Sequence, residues 1–235
     1  MKTIMNISLS AFGLLLTASL FISTACMNGS PGKNDTNAQN AGQGGTQAVT
    51  DPPADSKTDK ATFALGCFWH SEEMFSELKG VIDAVPGYCG GTEKNPSYEQ
   101  VGTGATRYAE SVDITFDPTI ITYGQLLKVF FAEHDPTTPD YAAPDEGPQY
   151  RSVVFYHNAD QQKQTNDYIA TLTASKKYKA PIITEVTPYT TFYKAEAYHI
   201  HYFRIHPNEG YIASVTRPEV EKFRNDFKDW LKPGF

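Results

Sequence analysis

The sequence predicts an α/β (α+β) two-layer sandwich, in which helices pack on a mixed β-sheet. Three observations carry this expectation. Short apolar or alternating runs suited to strands are separated by long stretches of helical periodicity. Aromatic residues are abundant, with 14 Tyr and 14 Phe in 235 residues, and no internal repeat is visible. The stretch from Ala61 to Phe235 has the size of one domain with a proper core.

Thr62 to Leu65 reads as a buried strand punctuated by Gly66. Cys67 then opens a helix in which Phe68, Phe75 and Leu78 share a face, with Glu72, Glu73, Glu77 and Lys79 expected in solvent. A thiol at a helix start meets unpaired N–H groups and the helix dipole, which favour the thiolate. A buried Cys acting as a small hydrophobe is the alternative. Val81 to Val85 is a second short strand, closed by Pro86-Gly87-Tyr88-Cys89-Gly90-Gly91, whose glycines mark unusual dihedrals or close approach. Asn95-Pro96-Ser97-Tyr98 reads as a turn, and Glu110 to Phe116 alternates as a half-buried strand does. Thr122 caps a helix from Tyr123 to about Glu133, with Leu126, Leu127, Phe130 and Phe131 inward, and His134-Asp135-Pro136 ends it. Thr137 to Pro148 is loop.

Tyr150 to His157 is a strand with Val153 and Phe155 on one face and Val154 and Tyr156 on the other. Asn158 or Asp160 starts a helix to about Tyr178, and Ile182 to Val186 is another strand. Phe192 to Glu196 leads into an aromatic, His-rich stretch ending at His206, and Pro218 to Leu231 forms the closing helix.

The start of the chain is read as an export signal, residues 1–25. Lys2 supplies a positive region, Ile7 to Ile22 an apolar one, and Ser23-Thr24-Ala25 small residues before Cys26. An ordinary signal peptidase can cut there. A Cys at this position resembles a bacterial lipoprotein signal, although Ser23 replaces the usual Leu. The lipoprotein reading, with Cys26 lipidated and the protein anchored outside the cytoplasmic membrane, is the expectation. Residues 26–60, rich in Asn, Gly, Gln, Thr, Ser and Pro, have little to bury and read as a disordered tether. The formal net charge of −7 argues against a nucleic-acid partner. With 3 cysteines in all, one of them the lipidation candidate, the chain is no disulfide framework.

Several short motifs together match one family in order and spacing. They are Gly66-Cys67-Phe68-Trp69, Gly87-Tyr88-x-Gly90-Gly91, Asn95-Pro96-x-Tyr98, Ala109-Glu110, His134-Asp135-Pro136-Thr137 and Asp145-x-Gly147-x-Gln149-Tyr150-Arg151-Ser152. The chain resembles the A-type peptide methionine sulfoxide reductases from Ala61 to about Phe227. The resemblance implies a ferredoxin-like core in the catalytic domain, residues 61–235. It implies that Cys67 attacks the sulfoxide sulfur and passes to a sulfenic acid as methionine leaves. Glu110 is then the acid that protonates the oxygen, a role that burial supports by raising its pKa. Tyr98 and Tyr150 hydrogen-bond the developing oxygen charge, Asp145 holds water or orients the nucleophile, and Phe68 and Trp69 seat the methyl group. Taken singly, each has a plainer reading: solvent Glu, core Tyr, turn-capping Asp, packing aromatics.

Three departures stand out. His70 replaces the Gly common after the Trp, and Tyr141-Ala142-Ala143 replaces the usual Arg-Gln-Gly. Gly210-Tyr211 is followed by Ile212, where many relatives place a resolving cysteine, and no Cys follows Cys89. Cys89 is therefore one candidate for the resolving thiol. An external reductant is the other: a thioredoxin-like or glutaredoxin-like protein, or dithiothreitol in vitro. No bound cofactor is expected. His199-x-His201 with His206 lacks the Cys or acidic ligands that would complete a metal site, and none is expected. The substrates are free methionine sulfoxide, in its S epimer, and oxidised proteins; the chain is expected to be a monomer that meets the membrane only through its lipid. A thiol peroxidase and an exported sulfoxide-binding protein without turnover are the alternative functions.

Overall fold

The structure is a computed structural model that describes residues 58–139 and 144–235. The export signal, Cys26, the tether as far as residue 57 and the Tyr141–Ala143 departure lie outside the described residues. Strand β1 (Asp59–Ala64) begins just ahead of the expected boundary at Ala61. Helix α1 (Phe68–Ser76), β2 (Val81–Cys89), α2 (Tyr98–Gly102), β3 (Ala109–Phe116), α3 (Tyr123–Ala132) and β4 (Val153–Tyr156) follow. Then come α4 (Ala159–Ala174), β5 (Glu185–Pro188), β6 (Phe192–Lys194), α5 (Tyr202–Ile205) and α6 (Arg217–Asp226).

The six strands form one sheet in the order β5-β4-β1-β3-β2-β6. Only β4 and β5 run parallel; the other neighbours are antiparallel. Within it, the segment β1-α1-β2-β3-α3-β4 with central order β4-β1-β3-β2 is the ferredoxin-like arrangement. Helices pack on the face that carries Phe63, Leu65, Val112, Ile114 and Val154. Phe63 sits among Phe75, Tyr123 and Phe130, with ring centroids 5.1 to 6.0 Å apart. Met74 joins this core with no exposed surface.

The predicted capping at Thr122 holds: its hydroxyl accepts from Gln125 N–H, and Gln125 returns a bond to the Thr122 N–H. Asn158 caps α4 likewise. Several boundaries move. β2 does not stop at Val85 but runs through Pro86-Gly87 to Cys89, because β6 adds alongside it. Gly87 permits this approach; a Cβ there would stand 2.3 Å from the Tyr193 carbonyl oxygen. The strand expected from Tyr150 is confined to Val153–Tyr156, preceded by a 3₁₀ turn at Pro148–Tyr150. The strand expected at Ile182–Val186 lies at Glu185–Pro188, α4 ends at Ala174, and the closing helix ends at Asp226 before a short turn.

The largest correction concerns Glu72, Glu73 and Glu77, which are buried rather than solvent-facing. The C-terminal segment covers them and brings their partners. Glu72 accepts the His201 N–H and lies 3.0 Å from its Nδ1, Arg204 binds Glu73 at 2.7 Å, and Arg224 binds Glu77 at 2.5 Å. Burial still lifts Glu72 and Glu73 to about 7. No helix among the described residues is long and apolar enough to cross a membrane.

Candidate active site

The site is built where β1 hands the chain to α1. Gly66, at φ 98°, makes a turn that side chains resist, and Cys67 follows as the N-cap residue of α1 in extended backbone. Cys67 offers no side-chain cap to its own helix. The cap comes instead from the sheet: Glu110 Oε2, on β3, accepts the Phe68 N–H at 3.1 Å. The thiol and the carboxyl are thereby fixed to the same end of one helix.

Both groups are held in their neutral forms. Burial pushes the Cys67 thiol well up, and the Glu110 and Asp145 carboxylates push it further. The expected thiolate is thus a correction: the helix dipole acts, but desolvation and two acids outweigh it. The Trp69 N–H and the Tyr211 hydroxyl act on the sulfur in the opposite sense, as hydrogen-bond donors. Glu110 is raised to about 8, first by burial and then by Asp145, against the Phe68 bond. A carboxylic acid that stays protonated at neutral pH therefore stands beside the sulfur.

Cys67, Phe68, Trp69, Tyr98, Glu110, Asp145 and Tyr150, all singled out from the sequence, line one pocket of about 350 Å³. Tyr98 and Tyr150 are raised by burial and then by the charges of Glu110 and Cys67, so their hydroxyls stay protonated donors. Phe68 and Trp69 form an apolar wall with Tyr88 and Tyr98 behind Phe68. No lysine, arginine or histidine lines the pocket among the described residues.

Sequence reasoning missed four lining residues: Tyr202, Glu209, Tyr211 and Pro144. Tyr202 stacks on Trp69 with centroids 3.9 Å apart and planes at 9°. The Tyr211 hydroxyl donates to Asp145 Oδ2 at 2.5 Å and also reaches Cys67, so it stands between the thiol and that carboxyl. The Gly210-Tyr211 pair was visible as a landmark for a missing cysteine; its own phenol was the signal overlooked. Glu196 is a further supporting group, accepting the Tyr88 hydroxyl and the Tyr98 N–H, both at 2.8 Å.

Cys89 does not join the pocket. Tyr88 pairs with Glu110 and Cys89 with Ala109, so alternation sends Cys89 to the face opposite Glu110. It is fully buried there among Ala64, Val153, Phe155 and Phe192, and burial lifts it to about 12. Cys89 thus lies on the face of β2 away from the pocket that holds Cys67, a placement that favours the external reductant of the two candidates. The histidines separate as well: His199 bonds Trp69 while His201 bonds Glu72. Among the described residues no cluster has the donors for a metal ion.

A sequence model of the family described as "Peptide methionine sulfoxide reductase" matches residues 59–231. The chain belongs to this family. Among curated relatives, "Peptide methionine sulfoxide reductase MsrA" of Polynucleobacter asymbioticus is 45% identical over 177 residues, covering 75% of this chain and 93% of that one. The protein of that name from Thermus thermophilus is 46% identical over 173 residues, 74% of this chain and 97% of its own. Among solved structures, Mxr1 of Saccharomyces cerevisiae in reduced form superposes with TM-score 0.61 at 32% identity, covering 68% of this chain and 91% of that one. Methionine sulfoxide reductase A of Corynebacterium diphtheriae gives TM-score 0.58 at 30% identity, covering 66% and 77%. These relatives place the family's MsrA type on the fold and pocket described above.

Proposed function

We propose that the chain reduces methionine sulfoxide, free or in proteins, by oxygen transfer to Cys67, and so repairs oxidised proteins. One observation carries the reading: a buried, neutral Glu110 is locked to the helix end that presents the thiol. The sulfoxide methyl group rests on Phe68 and Trp69, and its oxygen faces Glu110, Tyr98 and Tyr150. Proton donation to that oxygen weakens the S–O bond as Cys67 sulfur attacks. The Cys67 proton leaves toward Asp145 through the Tyr211 hydroxyl that touches both. Oxygen ends on Cys67 as a sulfenic acid and the thioether departs, which balances as Cys–SH plus sulfoxide giving Cys–SOH plus sulfide.

Two external thiols then return Cys67–SOH to the thiol, forming a disulfide and water. A thioredoxin-like or glutaredoxin-like protein, or dithiothreitol in vitro, is the proposed donor, because Cys89 faces away from the pocket. The S epimer is the proposed substrate. We propose also an exported monomer anchored through a lipid on Cys26, a reading supported by the apolar run before that residue.

The test is a single turnover of each sulfoxide epimer by the reduced full chain, with thiols counted before and after. Consumption of the S epimer with loss of one thiol is expected. Loss of two thiols contradicts the external reductant, and consumption of neither epimer rejects the reaction.

A further inference from the structure

His199 and His201 are two histidines of a sequence motif that the reaction above does not use. They flank Ile200 just before α5, and both point at α1. The Trp69 indole N–H donates to His199 Nδ1 at 3.0 Å. His201, at φ 56°, gives its N–H to Glu72 and sets its ring beside the same carboxyl. The segment bearing Tyr202 is thus pinned to α1 at two points on either side of one residue.

The first pin has a chemical direction. An indole N–H only donates, so His199 Nδ1 must offer a lone pair, and the single proton of the neutral ring sits on Nε2. Protonation of Nδ1 would set N–H against N–H. His199 is 1% exposed, and its Nε2 has no partner among the described residues. A buried polar atom left unsatisfied costs free energy, so the ring is kept for what its other nitrogen does. The ring is packed among Phe68 at 5.0 Å, Tyr98 at 4.4 Å and Tyr198 at 4.1 Å, and the Trp69 bond selects the orientation that turns Nδ1 to the indole.

Trp69 needs such a hold. Its stack on Tyr202 fixes the indole plane but resists sliding and in-plane rotation weakly, because stacking is broad in direction. A hydrogen bond at the ring edge supplies the missing restraint. We propose that His199 is a positioning residue for the reduction, holding the Trp69 indole so that the sulfoxide methyl group meets a wall of fixed orientation. The proposal rests on the reading of the pocket as the sulfoxide site.

The groups facing the imidazole are Trp69 and Phe68 from α1, Tyr98 and Glu99 from α2, Glu196 and Tyr198 from its own stretch, and Tyr202 from α5. Burial lowers His199 to about 4, against the pull of Glu196 and Glu99. The acceptor is therefore present throughout the neutral range.

The test is a double-mutant cycle in the full chain, with dithiothreitol as reductant and a neutral, end-capped methionine sulfoxide peptide. His199→Leu removes the acceptor and is expected to lower kcat/KM about tenfold. His199→Asn returns an acceptor oxygen near Nδ1 and is expected to recover most of that loss. In a Trp69→Phe background, which has no indole N–H, His199→Leu is expected to change kcat/KM by less than about twofold. Additive losses in the cycle, or an Asn variant as poor as Leu, overturn the proposal. Imidazole ¹⁵N shifts of the wild-type chain give a readout that needs no folded variant: the proton belongs on Nε2, and a proton on Nδ1 overturns the proposal. A wild-type chain that turns over neither epimer rejects the functional reading and takes the proposal with it. Turnover with an additive cycle rejects the proposal alone.

Discussion

Strand β3 buries two carboxylates, Glu110 and Asp113, on opposite faces of the sheet, and their surroundings differ in kind. Glu110 faces the pocket, takes one backbone N–H, and has no lysine or arginine partner among the described residues. Asp113 faces the other way and is matched: Lys60 Nζ lies at 2.6 Å, and the Thr62 hydroxyl donates at 2.7 Å while touching His157 Nε2 at 2.8 Å. The cysteines divide in the same way, Cys67 on the pocket side beside donors and acids, Cys89 on the far side among hydrocarbon. An acid buried with a cation beside it holds structure together. An acid buried without one is kept protonated, and that stored proton is what the chemistry uses.

Four substitutions probe this division. The largest effect is expected from the cysteines. Cys67→Ser abolishes turnover of methionine sulfoxide, whereas Cys89→Ala leaves kcat within about twofold and costs only stability; a dead Cys89 variant that still folds would erase the contrast. Next is Glu110→Gln, expected to lower kcat by about 10²- to 10³-fold with a smaller change in KM. In the wild type, activity should fall as pH rises through about 8, where the acid form is lost, and the Gln variant should lack that limb. Stability moves in the same direction with pH. The carboxyl is raised from its ordinary 4.5 to about 8 in the folded chain. The unfolded chain therefore binds fewer protons across that window, and folding weakens as pH rises through it. Glu110→Gln removes this slope and should stabilise the fold at pH 8 and above by on the order of a few kcal/mol, read by urea unfolding at pH 5 and pH 9. The smallest effect is at Asp113→Asn, which leaves the Lys60 ammonium short of its partner. About 1–3 kcal/mol of stability should go, with turnover nearly untouched.

What the sequence disclosed follows from the range of the forces involved. The caps at Thr122 and Asn158 and the span of β3 are local, and each lies where its own residues place it, but β3 is buried on both faces rather than half-buried as its alternation suggested. Cys67, Glu110, Asp145 and the two tyrosines were legible only as an ordered set of motifs, since each alone has a plainer role. Glu73 and Glu77 were misread because Arg204 and Arg224, which match them, lie 131 and 147 residues further on. Nothing within a helical window reveals such partners. Pro86-Gly87 looked like the end of a strand; it is the place where a late strand, β6, comes close. Tyr202 and His199 were hidden for the same reason, as the last part of the chain folds back to complete a wall begun at Trp69.

Met74 lies sealed under the sheet, and it is the single methionine among the described residues. An exposed methionine on a flexible loop beside the pocket would, once oxidised, face it at an effective concentration on the order of millimolar. It would then occupy the site ahead of any diffusing molecule. By burying Met74 where neither oxidant nor pocket can reach it, the described domain keeps its own methionine from competing for the active site.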